Sequence, residues 1–469
     1  MGRATRRGGR SMPAPLGAQT AFDQHLIDLL GEECAALEEA LTRPAPTSFR
    51  VNTSKWAGTD AERIPWCNTG YYLDQRPAFT FDPLLHAGCY YVQEASSMLV
   101  EQAIKAAVPA GRDLLALDLC AAPGGKSTHL RALLSPGSLL VANEFDRKRQ
   151  PILLENLWKW GASNTVITGS APSDLDRLPH FFDLILVDAP CSGEGMFRKD
   201  PFARQQWSPA LVAHCATTQQ HILEQAWNAL APGGTLIYST CTWQTTENEA
   251  QVARLMVLGG TCVPIPVQEC WGVVVTEELG IHGLRCYPHR VKGEGLFIAM
   301  VRKPGLAPDR RAGVESGAKI DEEQSPLRWL DQDRAWSLLE HDQVFFGLEQ
   351  RWAETVQRIT GQMHMLSPGI PVAERKGHEL KPHSALALSS VLDRSSFNMV
   401  ELDLAQALDY LRGNSMAARE AHGAALAMYK GIGLGWLHGA GNRWNNRWPT
   451  PWRIRSKEAR AAHVSWSRT

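Results

Sequence analysis

Three rhythms of hydrophobic and polar residues follow one another along the chain. Over 19–110 a helical spacing of apolar residues (Phe22, Leu26, Leu29, Leu30) precedes the short alternating run PTSFRVNTSK. This stretch closes on YYVQEASSMLVEQAI, where Ser96 and Ser97 are placed to cap an apolar-faced helix. From Arg112 short, almost wholly apolar runs alternate with longer amphipathic ones. The alternation predicts strands over 114–119, 139–143, 165–168, 184–188 and 236–240, with helices over 126–134, 147–158, 209–230 and 247–258. A later pair of runs, 272–277 and 296–302, is expected to complete the sheet. Strands alternating with helices pair in parallel and are covered on both faces, so the central region, 111–303, reads as an α/β fold of Rossmann-like type. Residues 304–326 are polar and rich in Gly, Pro and charge, as a linker is. Beyond it, 327–469 carries shorter elements and many turn residues, the pattern of one or two small α+β modules.

Bulk properties narrow the class. At 469 residues the chain is too long for one ordinary domain. No window of about 18 apolar residues appears, so neither a membrane span nor a membrane partner is expected. Residues 1–18 read as a flexible basic arm, because Arg3, Arg6, Arg7 and Arg10 are not followed by the apolar stretch of a secretory signal. The 10 cysteines include no CxxC and no clustered His/Cys spacing, which argues against a metal site and against a secreted disulfide scaffold. A reducing cytoplasm is the expected location. The net charge of −1 is no footprint of nucleic-acid binding, but its distribution matters. From Trp436 onward Arg443, Arg447, Arg453, Arg455, Lys457, Arg460 and Arg468 face one acid, Glu458, and alternate with Trp436, Trp444, Trp448, Trp452 and Trp466. Cations beside aromatic rings suit single-stranded RNA; a solvated tail with core tryptophans is the competing reading.

Candidate chemistry clusters where strands end. LLALDLCAAPGGKSTHL is a strand, a small-residue loop and a helix start, and Gly124 and Gly125 let backbone approach a ligand. It is neither GxGxxG nor GxxxxGK[ST], so a dinucleotide or a nucleoside triphosphate is poorly supported. Glu144, about twenty residues past the glycines, is placed to accept both hydroxyls of a ribose. Together these suit an adenosine cofactor without pyrophosphate, which S-adenosyl-L-methionine is; Glu144 as a plain acid at a helix N-terminus is the alternative. In DAPCSGEG and YSTCT, Cys191 and Cys241 both fall just past a strand. Thiolate addition at carbon 6 of cytosine makes carbon 5 nucleophilic toward a methyl group. Asp188 could donate at N3 if protonated, and a second thiol could help the product leave.

These motifs carry a family resemblance. DLCAAPGGKS, NEFDRKR, VDAPCSGEGMFRKDP, YSTCT with ENE after it, RVKGEGLFIA and the preceding YYVQEASSM resemble, in order over 22–302, the motifs of the Nol/Nop/Sun RNA cytosine-5 methyltransferases. The resemblance implies a class I methyltransferase core behind an N-terminal α+β RNA-binding subdomain. It implies Cys241 as nucleophile, Cys191 as the group that assists breakdown of the covalent product, and Asp188 and Lys126 at the reacting base. It further implies that Cys120, Ala121, Ala122, Pro123, Gly124, Gly125 and Lys126, with Glu144, Arg149, Ser170 and Asp188, hold S-adenosyl-L-methionine. Where many members carry an acid near the adenine, this chain has Ser170, leaving the base to its hydroxyl, to Asp174 or to backbone. KPHSALALS, LDYLRG and GLGWLHGAGNRWNNRWPTPWRIR are similar to tail segments of the ribosomal-RNA branch, where a PUA-like module binds RNA. This favours 16S rRNA or the small ribosomal subunit over tRNA as partner of a monomeric enzyme that forms 5-methylcytosine.

Two readings of other classes compete. A Rossmann-like oxidoreductase with a reactive thiol is opposed by the absent GxGxxG, and a non-catalytic rRNA-binding assembly factor has Ser170 as its only hint.

Overall fold

The computed structural model describes residues 16–108, 111–308, 325–377 and 379–456. The expected basic arm up to residue 15, the stretch 309–324 of the expected linker, and Lys457, Glu458, Arg460, Trp466 and Arg468 lie outside the described residues.

Seven strands form the centre: β1 (Leu115–Asp118), β2 (Leu139–Asn143), β3 (Thr165–Thr168), β4 (Phe182–Asp188), β5 (Leu230–Thr240), β6 (Gly283–Cys286) and β7 (Leu296–Arg302). They lie in the order β3-β2-β1-β4-β5-β7-β6. The first five are parallel, and β7 runs antiparallel to β5. The chain therefore begins in the middle of the sheet, winds out to β3, and returns across β1 to β4. The carboxyl ends of β1, β2, β4 and β5 share one rim, and the reversal between β1 and β4 opens the crevice where such sheets bind ligands.

The apolar runs are continuous because both faces are covered. Leu115 and Leu117 of β1 pack on one side with Ile222, Leu223 and Trp227 of the helix Pro209–Ala229. Ala116, one residue out of phase, packs on the other with Met98, Ile104 and Leu130. The helices that follow β1, β2 and β5 are Gly125–Leu133, Gln150–Trp160 and Glu249–Val257.

Two details depart from the sequence reading, and a third decides between its alternatives. The later pair of strands is Val274–Thr276 and β7, and β6 is inserted between them. The four residues of β6 are held partly by charge, which left no apolar run to read. Buried Arg285 donates to both oxygens of Glu249 at 2.9 and 2.6 Å and to the Trp243 carbonyl at 2.6 Å. Secondly, the turn at 96–99 is capped by Glu94 and not by the serines. The Glu94 carboxylate accepts the Ser96 and Ser97 N–H groups, each at 2.8 Å, because its two oxygens reach two successive amides that one hydroxyl could not. Thirdly, Trp436 and Trp448 are core residues, each 2% exposed, while Trp444 and Trp452 are half-buried. Arg443, Arg447 and Arg455 remain exposed.

The flanking regions are tied to the core and to each other. Helices Leu16–Leu30 and Cys34–Thr42 precede a three-stranded antiparallel sheet of Gly70–Leu73, Thr47–Val51 and Tyr90–Val92. Its Phe49, Tyr71 and Tyr90 share one apolar cluster with Tyr410, Leu437 and Trp448 near the other end of the chain. The C-terminal half holds a four-stranded and a five-stranded sheet, and its strand Met365–Ser367 pairs antiparallel with β3, extending the central sheet at that edge.

Arg285→Ala leaves the Glu249 carboxylate buried without its cation. We expect a loss of about 3–5 kcal/mol in urea unfolding, the cost of breaking a buried pair from one side.

Candidate active site

Two loops carry the cysteines, one after β4 and one after β5, and each is held by a carboxylate from the other. Glu194, buried on the first loop, accepts the Trp243 N–H of the second at 2.8 Å, with Trp207 Nε1 at 3.0 Å and Gln244 Nε2 at 2.5 Å. Glu247, on the second, accepts the Ser192 N–H of the first at 3.0 Å and Gln219 Nε2 at 2.8 Å. The Ser192 and Thr242 hydroxyls meet at 2.8 Å, and the Gly195 N–H donates to the Cys241 carbonyl at 2.7 Å. Burial pushes both carboxyls above their ordinary range, against the hydrogen bonds that favour their charge.

The clamp sets the two sulfurs 3.2 Å apart, with the Cys241 N–H donating to Cys191 Sγ at 3.4 Å. The hydrogen bond to Cys241, and then burial, push the Cys191 thiol far up. At the end of β4, Asp188 accepts from Lys126 Nζ at 2.8 Å and from Ser239 Oγ at 2.8 Å. Burial opposes the charge on Lys126, but Asp188, followed by Cys241 and Asp118, outweighs it and holds the ammonium above its usual range. Cys191, Cys241, Asp188 and Lys126 thus converge on one spot.

Beside it lies the loop from Cys120 to Lys126. Gly124 sits at φ +109°, a backbone state that favours glycine, and turns the chain into the helix Gly125–Leu133. Glu144 is not a helix N-terminal acid, since the following helix starts only at Gln150. Its two oxygens instead accept the Ala122 N–H at 3.1 Å and the Asp146 N–H at 2.8 Å, binding the glycine loop to the end of β2. Arg149 lies 3.5 Å from Glu144 and donates to the Ala122 carbonyl. Burial, then the neighbouring Asp118, pushes the Cys120 thiol far above its ordinary range. Ser170 is 2% exposed, and its hydroxyl accepts the His364 N–H at 2.7 Å. Asp174 is half-buried, 3.7 Å from Arg177.

Sequence reasoning passed over Glu194 and Glu247, although both stand inside quoted motifs, because their partners are backbone groups some fifty residues away. It also passed over Asp118. That carboxyl is fully buried at the end of β1; one oxygen accepts Ser127 Oγ at 2.6 Å and the other has no partner among the described residues. Burial raises it to about 7 against the Ser127 hydrogen bond, with repulsion from Asp188 adding to the shift. A raised folded-state value means that the stability from the protonated group is complete below ~4, the value of an exposed aspartate, and is lost as pH rises through about 7. Asp118→Asn removes that titration. The melting temperature of the variant relative to wild type should therefore climb between about pH 4 and pH 7 and level off above, measured by calorimetry without ligand; a constant difference would mean that Asp118 is ionised throughout.

Comparison with known proteins places this geometry. Residues 108–302 match the family described as 16S rRNA methyltransferase RsmB/F, residues 19–95 the N-terminal domain of 16S rRNA methyltransferase RsmF, and residues 397–454 the methyltransferase RsmF PUA domain. The ribosomal RNA small subunit methyltransferase F of Aeromonas hydrophila is 32% identical over 444 residues, covering 87% of this chain and 91% of that protein. Its counterpart in Vibrio cholerae is 32% identical over 446 residues, covering 87% and 92%. Among solved structures, a methyltransferase homologue from Pyrococcus horikoshii superposes with TM-score 0.52 at 30% identity, over 61% of this chain and 96% of that one. The NSun6 structure from Pyrococcus horikoshii, at TM-score 0.52 and 21% identity over 61% of this chain and 98% of that one, shares the fold. The chain belongs to the ribosomal RNA small subunit methyltransferase F family.

Proposed function

We propose that this protein is an S-adenosyl-L-methionine-dependent methyltransferase that converts a cytosine of small-subunit rRNA to 5-methylcytosine. The observation that carries this reading is the pair of cysteine sulfurs 3.2 Å apart at neighbouring strand ends, beside the Lys126–Asp188 pair. A reactive-thiol oxidoreductase needs neither a second cysteine beside a lysine and an aspartate nor an RNA-binding tail.

The residues present fit the cofactor. The Gly124 turn exposes the start of a helix at the switch point of the sheet, Asp118 keeps a buried oxygen without a partner, and Glu144 stands at the end of β2, where a ribose is held in related sheets. The loop from Cys120 to Lys126, with Asp118, Glu144 and Arg149, would hold S-adenosyl-L-methionine, and Asp188 would border it. When bound, it supplies an electrophilic methyl group.

The protein's own residues do the rest. Cys241, as thiolate, forms a bond to carbon 6 of the cytosine while N3 takes a proton delivered by the Lys126–Asp188 pair. The electron pair displaced from the ring makes carbon 5 the nucleophile that accepts the methyl group. Water at the rim takes the carbon 5 proton, the C–H electron pair reforms the carbon 5–carbon 6 double bond, the carbon 6–sulfur pair leaves with Cys241, and the N3 proton returns to the Lys126–Asp188 pair, which restores the aromatic ring. Cys191, within hydrogen-bond reach of Cys241, is placed to give a proton to the departing sulfur. The target base must leave its stack to reach the rim, at a cost of a few kcal/mol that is least in a loop or a frayed helix end.

Residues 19–110 and 327–469 act as RNA-binding units around the methyltransferase core at 111–303 in this reading. The cluster shared by Phe49, Tyr90, Tyr410 and Trp448 supports a single continuous RNA surface, to which exposed Arg443, Arg447 and Arg455 add charge. No described helix is long and apolar enough to cross a membrane, and we place the enzyme in the cytoplasm as a monomer.

Methyl transfer from labelled S-adenosyl-L-methionine to small-subunit rRNA, free and in the subunit, tests this. Cys241→Ala should abolish label incorporation, whereas Cys191→Ala should accumulate a protein–RNA species that survives denaturing electrophoresis. Full activity of Cys241→Ala would overturn the mechanism.

A further inference from the structure

Ser170 stands just past the carboxyl end of β3, and its hydroxyl is taken by another part of the chain. The segment around His364 lies against the carboxyl end of β3, locked on both sides. The Gly169 N–H donates to the His364 carbonyl at 2.8 Å, the His364 N–H donates to Ser170 Oγ at 2.7 Å, and Met365 pairs with Thr168. These bonds use only the His364 backbone. Its imidazole is exposed and has no hydrogen-bond or ion-pair partner among the described residues. One ring carbon comes close to Gly169: a Cβ there would stand 3.1 Å from His364 Cδ2 and 2.5 Å from Gln150 Nε2. Gln150 in turn donates to the Glu144 carbonyl at 2.9 Å. The ring therefore stands at the carboxyl end of β3, one strand outward from Glu144.

The order of the sheet says what reaches that place. A methyl donor must turn its sulfur toward Cys241, on the β4–β5 side, while its ribose is held at Glu144 at the end of β2. The rest of the nucleoside can then extend only away from β4, over β3. Resting on the proposed function, we propose that His364, donated by the C-terminal half, forms the adenine wall of the cofactor site, one ring nitrogen accepting from the exocyclic amino group. The C-terminal half is then part of the cofactor site as well as of the RNA surface, and Ser170 serves to seat the histidine.

Calorimetric titration of the full-length protein with S-adenosylhomocysteine and with its inosine counterpart, which carries a carbonyl in place of the amino group, tests this. Wild type should prefer the adenosine compound. His364→Ala should weaken that compound about ten-fold, the scale of one lost hydrogen bond, and leave the inosine compound unchanged. In turnover its KM for S-adenosyl-L-methionine should rise with kcat retained. His364→Asn, which keeps an acceptor, should retain most of the preference. Unchanged binding by His364→Ala, or an equal loss for both compounds as a merely loosened segment would give, overturns the proposal. Failure of wild type to bind either compound overturns the reading of the site itself, and this proposal with it.

Discussion

Two buried carboxylates, crossed between two loops, hold the rest of the site in place. Glu194 reaches from the Cys191 loop to the Trp243 N–H, and Glu247 reaches from the Cys241 loop to the Ser192 N–H. Neither loop can move without breaking a charge-assisted hydrogen bond in a dry environment, where such bonds are strong and their loss is costly. Arg285 extends the same lock to the neighbouring strand, pairing with Glu249 and holding the Trp243 carbonyl. This scaffold holds the two sulfurs 3.2 Å apart.

That contact divides the labour. In the proposed reaction the two sulfurs have different roles, Cys241 attacking the base and Cys191 assisting its departure, and both stand beside the Lys126–Asp188 pair. The order of the sheet supplies the second asymmetry. Because the sheet order reverses between β1 and β4, the glycine loop after β1 and the thiol loops after β4 and β5 arise on opposite sides of one crevice. Reacting groups held on strand ends in a packed sheet lose little freedom when substrate arrives.

The parallel core was legible because strands buried on both faces must be apolar throughout, as 115–117, 139–142 and 184–187 are. The thiols, the glycine loop and Glu144 were legible because strand ends advertise chemistry. The remainder depends on contacts far apart in sequence. β6 carries a buried arginine where an apolar run would have marked it. The clamps join acids to backbone amides, which have no residue type to recognise. Trp436 and Trp448 read equally well as stacking platforms and as core, and only their place in the shared cluster of the two end regions and its neighbour decides. Least visible of all was the return of 363–367 to the edge of β3, some two hundred residues after that strand.

The division of roles between the two cysteines is tested most directly by trapping. Small-subunit rRNA carrying 5-fluorocytosine cannot lose its carbon 5 substituent after methylation, so the enzyme should remain attached through the sulfur that attacked carbon 6. Nuclease digestion and peptide mass spectrometry of the trapped complex then read the attachment site. Cys241 as the modified residue is the expected result; modification of Cys191, or turnover without any adduct, would contradict it.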